Sequence, residues 1–401
     1  TGKNEEVPEE RGIEPSSTST QVVAKAKSQD PKPEKPSTGK DLEFSWDRVP
    51  VSAHFGIADG LEPEQYDFVA DHFDFITLTA GRLPRDSTGN AETFTAEAAL
   101  AIKKRNPKAK VVFYWASDKP KSQSKIANAA YPGEYLIHTR NRAGGRKEVT
   151  KHFDVTRKEV QDWWSDAAAD AVHKYSCDGI YVDGATAGRV GGPWSSSFGE
   201  EKAVDMDKAM FAMLEDARRK MGPDKLILFN PLHGYDDTKT QLGQEYLTVT
   251  DGAMIDDFDR IRVQSPEYMA NTIKTMQENA RDGKIMIFKG WPRFLGGWRT
   301  GKFKKTSHED VLSMSGKEII FPLACFLIGA EPNCYFCYTW GWNPEEGSFD
   351  WYPEFDKPLG PPKGDAVQKG WTFQREFEHA SVFVDLEKRT AKIDWREPPG
   401  E

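Results

Sequence analysis

Two six-residue stretches of the sequence follow one pattern: Asp178-Gly-Ile-Tyr-Val-Asp183 and Asp251-Gly-Ala-Met-Ile-Asp256. In each, Asp-Gly opens a short apolar run and a second Asp closes it. Such a run between turn residues is a buried-strand pattern, so each closing carboxylate stands where a strand leaves its sheet. Two carboxylates facing one another across a cavity are what glycoside hydrolysis needs. One attacks carbon or activates water, while the other protonates the leaving oxygen. The competing reading is turn chemistry, since Asp beside Gly also caps loops. The choice depends on whether the rest of the chain brings the two strand ends together.

The strand pattern recurs at 51–59, 73–81, 110–117, 177–184, 225–231, 251–258, 284–292 and 333–340. Helical apolar spacing lies between, at 63–72, 95–106, 156–176 (with Thr156 and Glu159 as a capping box), 200–222, 265–283 and 315–330. Continuously apolar strands alternating with helices predict a parallel sheet covered on both faces. Eight such units fit an α/β fold of the (β/α)8 TIM-barrel type. Segments 381–387 and 391–395 read as a β-hairpin packed on the barrel. Residues 1–44 are Lys, Glu, Pro, Ser and Thr with almost no aromatics, a composition that predicts a disordered tail. The expected division is therefore a tail at 1–44, a catalytic barrel at 45–375 and a C-terminal hairpin element at 376–401.

In such a barrel the C-terminal ends of all strands meet at one mouth, where active sites lie. The first strand brings His54 and Asp59 there, the third Tyr114, Trp115 and Asp118, and the fourth Asp183. The fifth adds Asn230 and His233, the sixth Asp256 and Asp257. The seventh adds Lys289, Trp291 and Arg293, and the eighth Tyr338, Trp340 and Trp342. Asp183 and Asp256 are the expected catalytic pair. Asp257 is the rival to Asp256, because adjacent strand residues point to opposite faces and only one can aim inward. Asp178 and Asp251 open their strands and are expected at the bottom face. His54, Tyr114, Trp115, Asp118, Asn230, His233, Lys289, Trp291, Arg293 and Trp340 are candidate substrate contacts. Each Trp serves equally as a sugar platform or as core. Lys289, Arg293 and Arg299 cluster in one segment and suggest an anionic, sulfated or carboxylated, sugar.

The chain carries 54 basic and 63 acidic residues, a net charge of −9, which argues against a nucleic-acid partner. No apolar run reaches the ~20 residues of a membrane span. Cys177, Cys325, Cys334 and Cys337 sit mostly in apolar runs, and the Cys334–Cys337 pair lacks a second half for a zinc site. Buried thiols, no metal and no cofactor are expected. No signal peptide is visible, and a secreted or periplasmic setting is expected with the leader outside this sequence.

Three segments resemble a known family. HFDVTRKEVQDWW (152–164), followed by DGIYVDG, is similar to bacterial TIM-barrel glycoside hydrolases of the hypothetical type. DGAMIDDF resembles that family's later strand, which usually carries Glu where Asp256 stands. The C-terminal PEFDKPLGPPKGDAVQKGWTFQREFEHASVFVDLE (353–387) resembles the segment that closes those barrels. The resemblance spans roughly 50–395 and implies a glycosidase without naming a substrate. An Asp pair on strands four and six is also similar to the retaining α-galactosidase clan. That likeness implies Asp183 as nucleophile and Asp256 as acid/base, with retention. Carboxylates about 5–5.5 Å apart accompany retention and about 6.5–9.5 Å inversion. The expected substrate is a polysaccharide or oligosaccharide in a cleft shaped by loops 118–153 and 292–306. The alternatives are a non-catalytic carbohydrate-binding barrel and a metal-dependent hydrolase. The latter usually needs His-x-His on the first strand, whereas Ser-Ala-His54-Phe-Gly supplies one histidine.

Overall fold

The computed structural model of the chain describes residues 42–56, 60–79, 89–133, 136–143, 146–188, 193–233, 243–260 and 264–397. The tail expected at 1–44 falls almost wholly outside these residues, as does Asp59. Fourteen strands are present among them. Eight parallel strands form the main sheet: β1 (Ser52–Gly56), β2 (Phe75–Thr79), β3 (Lys110–Ala116), β6 (Gly179–Asp183), β7 (Leu226–Asn230), β8 (Gly252–Ile255), β9 (Ile285–Gly290) and β10 (Cys334–Tyr338). They neighbour one another in that order. The ring closes between β10 and β1, through a parallel bridge of Val51 with Phe336 and the bonds Phe336 N to Pro50 O and Gly56 N to Trp342 O, both 2.8 Å. The expected (β/α)8 barrel is the fold.

The two Asp-Gly repeats have one structural meaning. Asp178 Oδ2 accepts the Val111 amide of the preceding strand at 2.8 Å, and Asp251 Oδ2 accepts the Ile227 amide of its preceding strand at 2.8 Å. The following glycines let the next strand approach: a Cβ on Gly179 would lie 2.0 Å from Leu226 O, and one on Gly252 2.1 Å from Ile285 O. Each repeat thus ties its strand at the bottom of the barrel to both neighbours, and its last Asp rises at the mouth.

Side chains alternate across the wall as the pleat requires. Phe75, Val112, Tyr181, Leu228, Met254, Ile287, Tyr335 and Cys337 fill the interior as one apolar cluster. Their strand neighbours Phe113, Trp115, Ile180, Val182, Phe229 and Ile255 belong to the larger core between strands and helices.

Three local expectations change. Thr156 does not cap its helix, which spans Lys158–His173 with Arg157 at the N-cap. Its hydroxyl donates instead to Asp154 Oδ1 at 2.6 Å and accepts from Lys202 Nζ at 3.0 Å. The apolar helix expected at 315–330 is two helices, His308–Glu318 and Ile320–Gly329, bent by 45°. Among the described residues no single helix is long and apolar enough to cross a membrane. The excursion after β3 folds as a short helix (Lys125–Ala129) and an antiparallel pair, β4 (Leu136–Ala143) and β5 (Arg146–Phe153).

The C-terminal hairpin is present as the last half of a four-stranded antiparallel sheet: β11 (Val367–Lys369), β12 (Thr372–Glu376), β13 (Ala380–Asp385) and β14 (Thr390–Trp395). This sheet packs on the helix Ile320–Gly329. Arg375 anchors the contact from a fully enclosed position. Its guanidinium donates to the carbonyls of Leu327, Ile328 and Ala330, at 3.1, 3.2 and 2.6 Å, where that helix ends.

Candidate active site

A cavity of about 1180 Å³ opens at the C-terminal ends of the strands. His54, Tyr114, Tyr181, Asp183, Asn230 and Asp256 line it from the barrel, all from inward-facing positions. Loops add Pro120–Gln123, Arg260 and the segment Trp342–Glu345. Both expected carboxylates therefore face one cavity, together with His54, Tyr114 and Asn230.

Asp183 ends β6, where its side chain is held on both oxygens. The Tyr114 hydroxyl donates to Oδ2, and Asn230 Nδ2 donates to Oδ1 at 3.1 Å. Lys121 Nζ lies 3.8 Å from Oδ2 and 5.3 Å from the centre of the Tyr114 ring. The Asp183 carbonyl accepts both the amide and the hydroxyl of Ser117 at 2.9 Å, which fixes the turn after β3 against the end of β6. Burial, then the Asp183 charge, pushes the Tyr114 phenol well above its usual range, so it stays a donor.

Asp256 has a different setting. It is buried, and among the described residues its carboxylate meets only the Arg260 guanidinium, at 3.4 Å from Oδ2. Its backbone carbonyl accepts Trp291 Nε1 at 2.7 Å. Burial raises its pKa above the usual carboxyl range. Arg260 opposes the shift, while Asp257 and Asp183 add to it. Asp257 turns to the other side of the wall. Its Oδ2 accepts from Tyr268 and lies 2.8 Å from His233 Nδ1. Burial opposes both charges, but this pairing outweighs it: the imidazole pKa is raised and the Asp257 carboxyl lowered. Asp257 and His233 are thus a half-buried hydrogen-bonded pair beside the mouth, and neither lines the cavity.

His54 lines the cavity floor between Tyr181 and Trp342, with ring centres 5.1 and 4.5 Å away. Burial lowers its pKa to about 3, so the ring is neutral at ordinary pH.

Several expected contacts do not reach the cavity. Trp115 has the opposite pleat orientation from Tyr114 and packs on Trp163 and Trp164, its Nε1 donating to Trp164 O at 3.1 Å. Asp118 is buried beneath the mouth, against Gly184, whose φ of +81° and contact with Asp118 leave no room for a Cβ. Lys289 is enclosed inside the barrel. It donates to Thr339 O and Oγ1, both at 2.8 Å, and lies 4.0 Å from the centre of Trp291. Burial lowers its pKa to about 8. Arg293 leaves the mouth and donates to Arg389 O at 2.8 Å. Trp291 and Trp340 line a smaller neighbouring pocket. Lys121, Arg260 and Tyr181 are cavity residues that the sequence did not single out. Tyr181 carried a usable signal, since it shares the pleat orientation of Asp183. The other two stand on irregular segments with no period to read. All four cysteines are buried and free. Among the described residues no cluster of three His, Cys, Asp or Glu could hold a metal ion.

A closed barrel with two acids at its mouth is an architecture on which glycosides can be hydrolysed, among other chemistries. The model of hypothetical glycosyl hydrolase family 15 matches residues 103–381, more than half of the chain, and the chain belongs to that family. No curated protein matches the sequence. Similar solved structures include the glycoside hydrolase domain of PelA from Pseudomonas aeruginosa, at 12% identity and TM-score 0.45, over 75% of this chain and 96% of that one. An α-amylase from Geobacillus thermoleovorans gives 11% identity and TM-score 0.45, over 85% and 87%. An α-galactosidase from Thermus thermophilus gives 14% and 0.38, over 60% and 53%. At these values the assignment rests on the family match alone.

Proposed function

We propose that this glycoside hydrolase cleaves a glycan chain with retention of configuration, using Asp183 as nucleophile and Asp256 as acid/base. The observation that carries this reading is the contrast between two carboxylates on one cavity. Asp183 is oriented by donors on both oxygens, whereas Asp256 is buried with its pKa raised. Environments that push two acids apart are how a site obtains a nucleophile and a proton donor from the same residue type. In the first step an Asp183 oxygen bonds to the anomeric carbon as the glycosidic C–O bond breaks, and the Asp256 proton passes to the leaving oxygen. In the second, Asp256 takes a proton from water, whose oxygen displaces Asp183 from the same carbon.

An anionic substrate was suggested by Lys289, Arg293 and Arg299, but the first two are engaged internally. The cations on the cavity wall are Lys121 and Arg260, and an acidic sugar unit would meet those. The test is reducing-sugar release from a panel of neutral and sulfated polysaccharides, with the product anomer read by NMR at early times. Release with retained configuration supports the reading. Binding without release by the wild type would make the chain a carbohydrate-binding barrel.

A further inference from the structure

Beside the main cavity lies a second pocket of about 300 Å³, walled by Trp291, Trp298, Trp340, Trp342, Arg299 and Glu346. Trp342 belongs to both: one part of it meets His54 in the cavity, and it meets Trp291 edge-on at 5.3 Å in the pocket. Trp291 and Trp340 are buried and form the back wall. Trp298 and Trp342 are only partly covered. Glu346 holds these two in place: Oε1 accepts Trp298 Nε1 at 3.1 Å, and Oε2 accepts the amides of Trp342 and Asn343 at 3.0 and 3.1 Å. Indoles fixed in advance lose little entropy when a flat apolar face lies on them.

The polar groups left over are donors. Trp340 Nε1 is buried without a hydrogen-bond partner among the described residues. Arg299 is exposed, makes no hydrogen bond or ion pair among them, and lies within electrostatic reach of Asp256 and Arg260. A ligand for this pocket therefore brings an apolar face and hydrogen-bond acceptors together, which is the chemistry of a pyranose ring.

We propose that the pocket is a subsite for a further sugar unit of the same chain, so that the substrate spans Trp342 and is an oligosaccharide or polymer. This rests on the glycosidase reading for its direction but is tested by binding. The probe is affinity electrophoresis of the Asp183→Asn protein in gels containing laminarin, xylan, alginate or chondroitin sulfate, with initial rates on whichever polymer the wild type cleaves. Adding Trp298→Ala should weaken retardation by the bound polymer at least tenfold, and Trp298→Phe should restore most of it. Arg299→Ala, at an exposed position, should weaken it about threefold or more and serves if Trp298→Ala fails to fold. Among hydrolysed oligomers, the loss caused by Trp298→Ala should grow with chain length. Retardation that depends on Trp298 while the wild type cleaves nothing would sink the glycosidase reading and keep the subsite. A folded Trp298→Ala protein with unchanged retardation and chain-length preference overturns the subsite and leaves the glycosidase reading intact. No retardation by any of the four polymers also overturns it.

Discussion

Tyr181 and Met254 touch inside the barrel, the tyrosine hydroxyl donating to Met254 Sδ at 3.0 Å. They hold the same place in the two Asp-Gly repeats, 73 residues apart, and each stands one inward position below the closing acid. Their contact shows that β6 and β8 converge across the interior directly beneath Asp183 and Asp256. The shared cavity of the two acids follows from that packing.

Tyr114→Phe removes one of the two hydrogen bonds that the Asp183 carboxylate accepts among the described residues, while keeping the ring. A hydrogen bond to a charged group contributes roughly 1.5–3 kcal/mol, so kcat/KM is expected to fall about 10- to 100-fold. Thermal melting should stay close to wild type. An unchanged kcat/KM would show that the hydroxyl does not orient the nucleophile.

With Asp256 as the proposed acid, the alkaline limb of the pH–rate profile is expected to report its proton. Because Arg260 opposes the upward shift of that carboxyl, Arg260→Gln should raise the pKa further and move the limb to higher pH. The readout is kcat/KM against pH. A limb that stays put, or moves to lower pH, contradicts Asp256 as the acid.

Burial holds the His54 pKa at about 3, against 6.5 for an ordinary imidazole. Below about 6.5 the unfolded chain takes up a proton that the folded chain refuses until about pH 3. Stability is thus lost as pH falls through that window, at a slope of up to about 1.4 kcal/mol per pH unit. His54→Gln should lose less stability than wild type between pH 7 and pH 4 in chemical denaturation. An equal loss would mean that His54 takes up its proton in the fold.

Arg375→Met would strip three helix-end carbonyls of their donor and separate the C-terminal sheet from the helix Ile320–Gly329. A loss on the order of 3 kcal/mol is expected in urea unfolding. A change under about 1 kcal/mol would show that the sheet is held by its apolar face alone.

Strand order, the barrel and the placement of Asp183 and Asp256 on one cavity were legible because they depend on apolar period and on a repeat. The same pleat rule that chose Asp256 over Asp257 also separates Tyr114 from Trp115, and applying it along β3 places the tyrosine inside. Thr156 was misread because Asp154, two residues earlier, competes for its hydroxyl. Lys289 and Arg293 share a segment but leave it in opposite directions, one into the barrel and one toward Arg389. Lys121 and Arg260 come from loops, and Trp298 and Arg299 from a five-residue helix (Leu295–Arg299), pieces too short or irregular for any periodicity to place.

The most direct measurement compares Asp183→Asn, Asp256→Asn and Asp257→Asn with the wild type on a polysaccharide that the wild type cleaves. Loss of the nucleophile or the acid is expected to lower kcat at least about 100-fold. Asp257→Asn, which breaks the half-buried contacts with His233 and Tyr268, is expected to act mainly on stability. Full activity in Asp183→Asn or Asp256→Asn, or a folded Asp257→Asn protein as inactive as either, would contradict the assignment.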